Sequence, residues 1–206
     1  MTKLSINMMA KVDMCAETTS CILQCIQSLK DVCTEFNLIT GQSDLPKGRS
    51  RILTEWYDRA QSGDKFLFID SDQTFKPDDI KTALFYAENY QIVCGVYGRK
   101  NGSIAAEPVK KQRFYDEKKG ELFYGPTGFM MIDFDIVDKV AKKMKKVRSA
   151  TEEYIYPFFH HQIFVDDTLF PGETIWIGED YSFCHIARKE GARIFGFISE
   201  TIGHII

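Results

Sequence analysis

The run Lys65–Asp70, KFLFID, followed by Ser71 and Asp72, constrains the fold of this chain more than any other feature. Its four consecutive apolar residues leave no polar face, and it is too short for a helix. It therefore reads as a strand buried on both sides, as in a parallel sheet. The surrounding pattern agrees. Residues 4–8, 36–40 and 92–96 are short apolar strands, the second closed by Gly41. Between them, 17–30, 49–60 and 77–89 carry apolar residues at helical spacing, the last opened by Pro77, Asp78 and Asp79. Proline suits a first helical turn, and carboxylates favour the positive end of the helix dipole. The first hundred residues thus alternate strand and helix, which predicts an α/β fold with a mostly parallel central sheet flanked by helices.

Beyond residue 100 the regular alternation ends. Short strands are expected at 104–106, 113–115, 122–124 and 129–132, then a lysine-rich amphipathic helix at 135–147. An aromatic stretch at 154–170 contains His160 and His161 and reads as a loop. A strand at 175–177, a helix at 179–190 and a strand at 193–198 complete the pattern, which predicts a smaller mixed sheet beside the main one. One 206-residue domain is expected, with residues 1–100 and 101–206 as its two halves.

Composition excludes several classes. The 26 basic and 29 acidic residues give a formal charge of −3, which disfavours a nucleic-acid binder. No apolar stretch approaches the roughly 20 residues of a membrane span, and residues 1–7 lack a secretory apolar region. A cytoplasmic protein with no transmembrane segment is the expectation. The six cysteines form no CxxC pair, so reduced, mostly buried thiols are expected rather than zinc ligands. The run 142–148, KKMKKVR, reads as the solvated face of its helix.

Ligands of open α/β sheets bind at the carboxyl ends of the strands, where Asp70, Ser71 and Asp72 stand. Two acids one residue apart there suit a hard divalent cation, or simply cap the following turn. Asp70 to Thr74 also fits the DxDx(T/V) signature of haloacid-dehalogenase-type phosphatases, with Asp70 as nucleophile. That family places its motif on the first strand, whereas here a full β-α-β-α precedes it.

A longer set of motifs points elsewhere. After the DxD come Cys94-Gly95-Val96-Tyr97, then Gly125-Pro126-Thr127-Gly128-Phe129-Met130-Met131-Ile132, then Trp176-Ile177-Gly178-Glu179-Asp180 opening a helix. Arg188-Lys189-Glu190-Gly191-Ala192-Arg193-Ile194 and Ile202-Gly203-His204 follow. In order and spacing this chain resembles the GT-A type nucleotide-sugar glycosyltransferases over nearly its full length. The resemblance implies a GT-A, Rossmann-like fold and transfer of a sugar from a UDP-sugar to a glycan, glycoprotein or other hydroxyl acceptor. It implies Asp72, Asp70 and His204 as ligands of Mn²⁺ or Mg²⁺, the imidazole tilting preference toward Mn²⁺. It also implies an inverting reaction with Asp180 as general base and Glu179 as its near competitor, with 1–100 as the nucleotide-binding half, 101–206 as the acceptor-binding half and the stretch around His160 and His161 as an acceptor loop.

Thr40, Asp44, Arg51, Asp70, Ser71, Asp72, Tyr97 and Gly128 are the expected nucleotide-sugar contacts. Asn7, Met8, Met9, Gln42, Ser43, Arg49, Arg99 and Lys100 are neighbouring candidates, and Trp176 is a candidate acceptor platform. By resemblance, the compact size suits a bacterial or large-virus enzyme, and an end two residues after His204 suits one domain of a longer protein. A non-catalytic nucleotide-sugar binding domain is the alternative from outside the enzymes.

Overall fold

The computed structural model describes residues 3–10, 14–41, 44–98, 103–149 and 153–204, the side chains of residues 33, 34 and 204 excepted. Strands β1 (Leu4–Met9), β2 (Cys33–Ile39) and β3 (Lys65–Asp70) are separated by helices α1 (Ala16–Ser28) and α2 (Leu45–Tyr57). After β4 (Gln73–Thr74) come α3 (Pro77–Tyr86), β5 (Ile92–Val96), β6 (Glu107–Pro108), α4 (Lys111–Glu117), β7 (Lys119–Tyr124), β8 (Phe129–Asp133) and α5 (Phe134–Ala141). The short strands β9 (Val147–Arg148) and β10 (Tyr154–Ile155) precede the hairpin β11 (Gln162–Val165) and β12 (Thr174–Ile177). Helix α6 (Glu179–Lys189), β13 (Ile194–Ile198) and β14 (Gly203–His204) close the described chain.

The main sheet has eight strands in the order β2-β1-β3-β8-β5-β13-β7-β6. Strand β8 runs antiparallel between β3 and β5, and β7 antiparallel to β13; the other six strands share one direction. Three two-stranded antiparallel sheets accompany it: β9 with β10, β11 with β12, and β4 with β14. The α/β class and the mostly parallel sheet expected from the sequence are both present.

The unbroken apolar run of β3 is explained by its position. Phe66, Leu67, Phe68 and Ile69 are all buried, with Phe66 and Phe68 in the core on one face and Leu67 and Ile69 in the core on the other. Each such side chain contributes about 1.5–3 kcal/mol by leaving water. Trp56 of α2 meets the Phe66 ring edge-on at 5.2 Å, which fixes α2 against β3. Helix α2 begins before residue 49 because Asp44 accepts the Lys47 N–H at 3.1 Å and Pro46 occupies its first turn.

The second half departs from expectation in three places. Residues 113–115 lie in α4 rather than in a strand: Arg113 pairs with Glu117 one turn on, and only Phe114 is buried. Residues 104–106 form a single bridge, Gly98 to Ile104, and the strand falls at Glu107–Pro108. The helix expected at 135–147 ends at Ala141, where its buried stripe of Ile136, Val137, Val140 and Ala141 stops. Past that point Lys142, Lys143 and Lys145 are exposed, and packing no longer supports a helix. Among the described residues no helix is long and apolar enough to cross a membrane. Cys25, Cys94 and Cys184 are buried thiols, while Cys15 and Cys21 are partly exposed.

Gly95 in β5 tests how tightly the two halves pack. A Cβ there would stand 2.5 Å from Ile202 Cδ1 and 2.9 Å from the Phe129 ring. Gly95→Ala is expected to lower the unfolding free energy by about 1–3 kcal/mol in urea titrations. An unchanged midpoint would mean that Ile202 and the tail around it yield freely.

Candidate functional site

Strands β1, β2, β3 and β5 all end at one edge of the sheet, and the reversed strand β8 begins there. This arrangement brings Thr40, Asp70, Tyr97 and the Gly125–Gly128 loop to a common rim. Helix α2 adds Arg49 from its second turn, and α6 adds Glu179 and Asp180 from its first.

Arg49 is the hub of the cluster. It is buried, and its guanidinium donates to three carboxylates: Asp70 at 3.0 and 3.4 Å through one nitrogen, and Glu179 at 2.9 Å and Asp180 at 2.6 Å through the other. The planar fork of arginine makes this three-way contact possible. Burial opposes the charge on Arg49, but Asp180, Asp70 and Glu179 outweigh it and hold its pKa above the ordinary value. Asp180 is pinned further by Thr127, whose hydroxyl donates at 2.8 Å and whose N–H donates at 3.3 Å. His161 Nε2 lies 3.5 Å from the second oxygen of Glu179.

Tyr97 is buried beside the same acids. Burial, then the negative charges of Asp70 and Asp180, raise its pKa far above normal despite the opposing charge of Arg49. Its hydroxyl therefore stays protonated. Gly128 is required beneath it, because a Cβ there would meet the Tyr97 hydroxyl at 2.4 Å and the Gln73 amide nitrogen at 3.0 Å.

The Ser71-Asp72 turn is held from two sides. Its backbone accepts from Cys15 N–H through Ser71 O at 3.3 Å, and Thr18 Oγ1 donates to Gln73 O at 2.9 Å. On the other side, β14 pairs with β4 so that His204 stands opposite Gln73, one residue beyond Asp72. The chain is returned there by Asp79, which accepts from the Ser199 and Thr201 hydroxyls at 2.6 and 2.5 Å. The backbone of His204 thus reaches the DxD turn, while its side chain lies outside the described residues.

Among the described residues no three His, Cys, Asp or Glu side chains stand together at metal-ligating spacing. The donor chemistry nonetheless fits a hard divalent cation. Three carboxylates face one guanidinium, and Asp72 adds its field at Tyr97, so the rim keeps a net negative charge and offers oxygen ligands.

The other expected contacts divide. Thr40 is exposed at the end of β2, and Asp44 lines an open cleft of about 600 Å³ with Leu45, Pro46, His160, His161 and Glu179. Arg51 faces away from the cluster, paired with Glu55 at 2.8 Å and Glu153 at 3.2 Å on the surface. Asn7 is buried within a ladder of Ser5, Asn37 and Glu35 between β1 and β2. Gln42, Ser43, Arg99 and Lys100 lie outside the described residues. Thr127 as a partner of Asp180 was invisible in the sequence, since the contact spans 53 positions.

No protein-family model and no curated protein matches this sequence. Among solved structures, A197 from STIV aligns with 100% of this chain and 86% of its own, at 19% identity and a TM-score of 0.55. Glucosyl-3-phosphoglycerate synthase from Mycobacterium tuberculosis, solved with Mg²⁺ and uridine diphosphate, overlaps 67% of this chain and 58% of its own, at 17% identity and a TM-score of 0.43. The likeness to A197 establishes a shared fold; the second overlap is too loose to add to it.

Arg49→Leu leaves three carboxylates facing one another around an apolar side chain. It is expected to cost about 2–4 kcal/mol in urea unfolding at neutral pH, reduced from the fully buried case because the acids are partly wet. Arg51→Leu, in a surface pair, is expected to cost less than about 1 kcal/mol. Equal effects would mean that Arg49 is not the hub.

Proposed function

We propose that this chain is a metal-dependent glycosyltransferase of GT-A type that moves a sugar from a UDP-sugar to a hydroxyl acceptor. The observation that carries the reading is the meeting of the DxD acid Asp70 with Glu179 and Asp180 around Arg49 at the carboxyl edge of the sheet. Two motifs far apart in the chain that resemble that family meet within one cluster, and Thr127 of a third joins them through Asp180.

In this reading Asp72 and Asp70 are the oxygen donors for Mn²⁺ or Mg²⁺, with His204 as the third candidate. When bound, such an ion stabilises the charge on the departing diphosphate. Thr40 and Asp44 flank the nucleoside end, and Tyr97 donates toward the phosphates or sugar above Gly128. Arg49 and Thr127 orient Asp180. Its Oδ1 is occupied by both of them, which leaves Oδ2, held only by the longer Thr127 N–H contact, to take the proton from the acceptor. The acceptor oxygen bonds to the anomeric carbon as the bond from that carbon to the diphosphate breaks, with inversion. Glu179 faces the open cleft and competes for the role of base. The halves 1–100 and 101–206 supply the donor and acceptor sides respectively. Asp70 as a phosphoryl nucleophile is the less favoured reading, because its motif closes the third strand of the chain rather than the first.

Calorimetry with UDP tests the metal. UDP is expected to bind about tenfold or more tightly with Mn²⁺ than with EDTA, a gap near 1.4 kcal/mol, and Asp72→Ala should erase most of it. Binding indifferent to both would sink the DxD assignment, and turnover of simple phosphate monoesters would favour the phosphatase.

Asp180→Asn keeps the shape and removes the proton acceptor. Donor affinity is expected to stay within a few-fold while transfer falls by about 10²–10⁴. Glu179→Gln should cost less. The reverse ranking would move the base to Glu179, and product of retained configuration, read by NMR, would remove the need for either.

A further inference from the structure

The β11–β12 hairpin runs directly into the acid-bearing first turn of α6. Its register pairs Ile163 with Trp176 and Val165 with Thr174. Directly opposed residues of an antiparallel pair share a face, so these four side chains form one surface. That surface is open: Trp176 is 73% exposed, Ile163 68% and Val165 64%. Phe170, in the turn, is 53% exposed.

The opposite face is anchored. Phe164 stacks on His185 of α6 at 4.0 Å, and Ile177 is buried. Buried Asp166 ties the turn by accepting the N–H groups of Thr168, Leu169 and Phe170 at 3.2, 2.7 and 2.5 Å. The hairpin therefore presents its apolar face on a rigid mount. The face is also continuous with the cleft: His161 meets Trp176 edge-on at 6.3 Å and reaches Glu179 at 3.5 Å.

We propose that this face carries the aliphatic portion of an amphiphilic acceptor, a hydroxylated head group attached to an alkyl or isoprenoid chain. The head enters the cleft at His161 and Glu179, and the chain lies over Trp176, Ile163 and Val165. A bare sugar stacked on Trp176 would meet two branched aliphatic side chains next along the face, with Thr174 the one polar side chain there to receive its hydroxyls. An alkyl chain satisfies all of them. This inference rests on the glycosyltransferase reading for the word acceptor, but its test does not need turnover.

Trp176 is a built-in reporter, since the other tryptophan, Trp56, is buried. Tryptophan fluorescence is followed while methyl, hexyl and octyl β-glucosides are added below their micelle thresholds, without donor or metal. A blue shift is expected for octyl glucoside, with affinity rising about two- to fourfold per added methylene. Val165→Lys should weaken octyl glucoside binding and flatten that chain-length dependence, and Trp176→Phe should retain binding by calorimetry. No shift, or equal response to methyl and octyl glucosides, would overturn the proposal. So would a shift that depends on protein concentration alone, which would assign the face to a second copy. A response to phosphatidylcholine vesicles without one to octyl glucoside would assign it to a membrane surface instead. Failure here with metal-dependent UDP binding intact would leave the glycosyltransferase reading standing; octyl glucoside binding without UDP binding would separate the two the other way.

Discussion

One buried guanidinium organises the carboxyl edge of the central sheet. Arg49 comes from α2, Asp70 from the end of β3, and Glu179 and Asp180 from the first turn of α6. Three elements that share no local sequence are tied at a point where each would otherwise present uncompensated charge. Taking an arginine out of water is costly, and the contact with several carboxylates offsets that cost. The acids in turn could not stand so close to one another without it. A lysine would supply the charge but not the fork that reaches them in different directions.

The sheet supplies the geometry for that contact. Inserting β8 in reverse between β3 and β5 starts a strand at the edge where its neighbours end. The Gly125–Gly128 loop is thereby delivered to the acids, and Thr127 reaches Asp180. The same edge receives β14, whose pairing with β4 returns the end of the described chain to the DxD turn. Tight packing enforces this convergence. Gly95 and Gly128 sit where a single added carbon would collide with Ile202 and Phe129 or with Tyr97. Stability and site geometry are consequently coupled through small residues rather than through separate core and surface layers.

The hairpin before α6 is a different kind of feature. Its inward face is fixed by Phe164 on His185 and by the Asp166 turn, yet its outward face leaves large apolar groups in water. Isolated exposed apolar residues are ordinary on protein surfaces. Three on one rigid face, continuous with a cleft that ends on the Glu179 carboxylate, form a connected surface.

The first half of the fold was legible because its signals are local. The four central residues of KFLFID are apolar without interruption, and Pro77-Asp78-Asp79 announces a helix start, so β3 and α3 could be read directly. The second half was less so, because short segments such as 113–115 and 142–147 have no strong period, and their state follows from which side chains find burial. Among the candidate site residues, Asp70, Asp72, Glu179 and Asp180 stood out by motif and by their places at a strand end and a helix start. The choice of Arg49 over Arg51 could not be read, since both lie near the start of one helix and two residues apart. A helix turns about 100° per residue, so such neighbours point about 200° apart, and the packing of α2 through Trp56 against β3 selects the one that turns inward. Chemistry that depends on residue type and local order was written along the chain; chemistry that depends on which distant groups share a buried charge arose when the sheet closed.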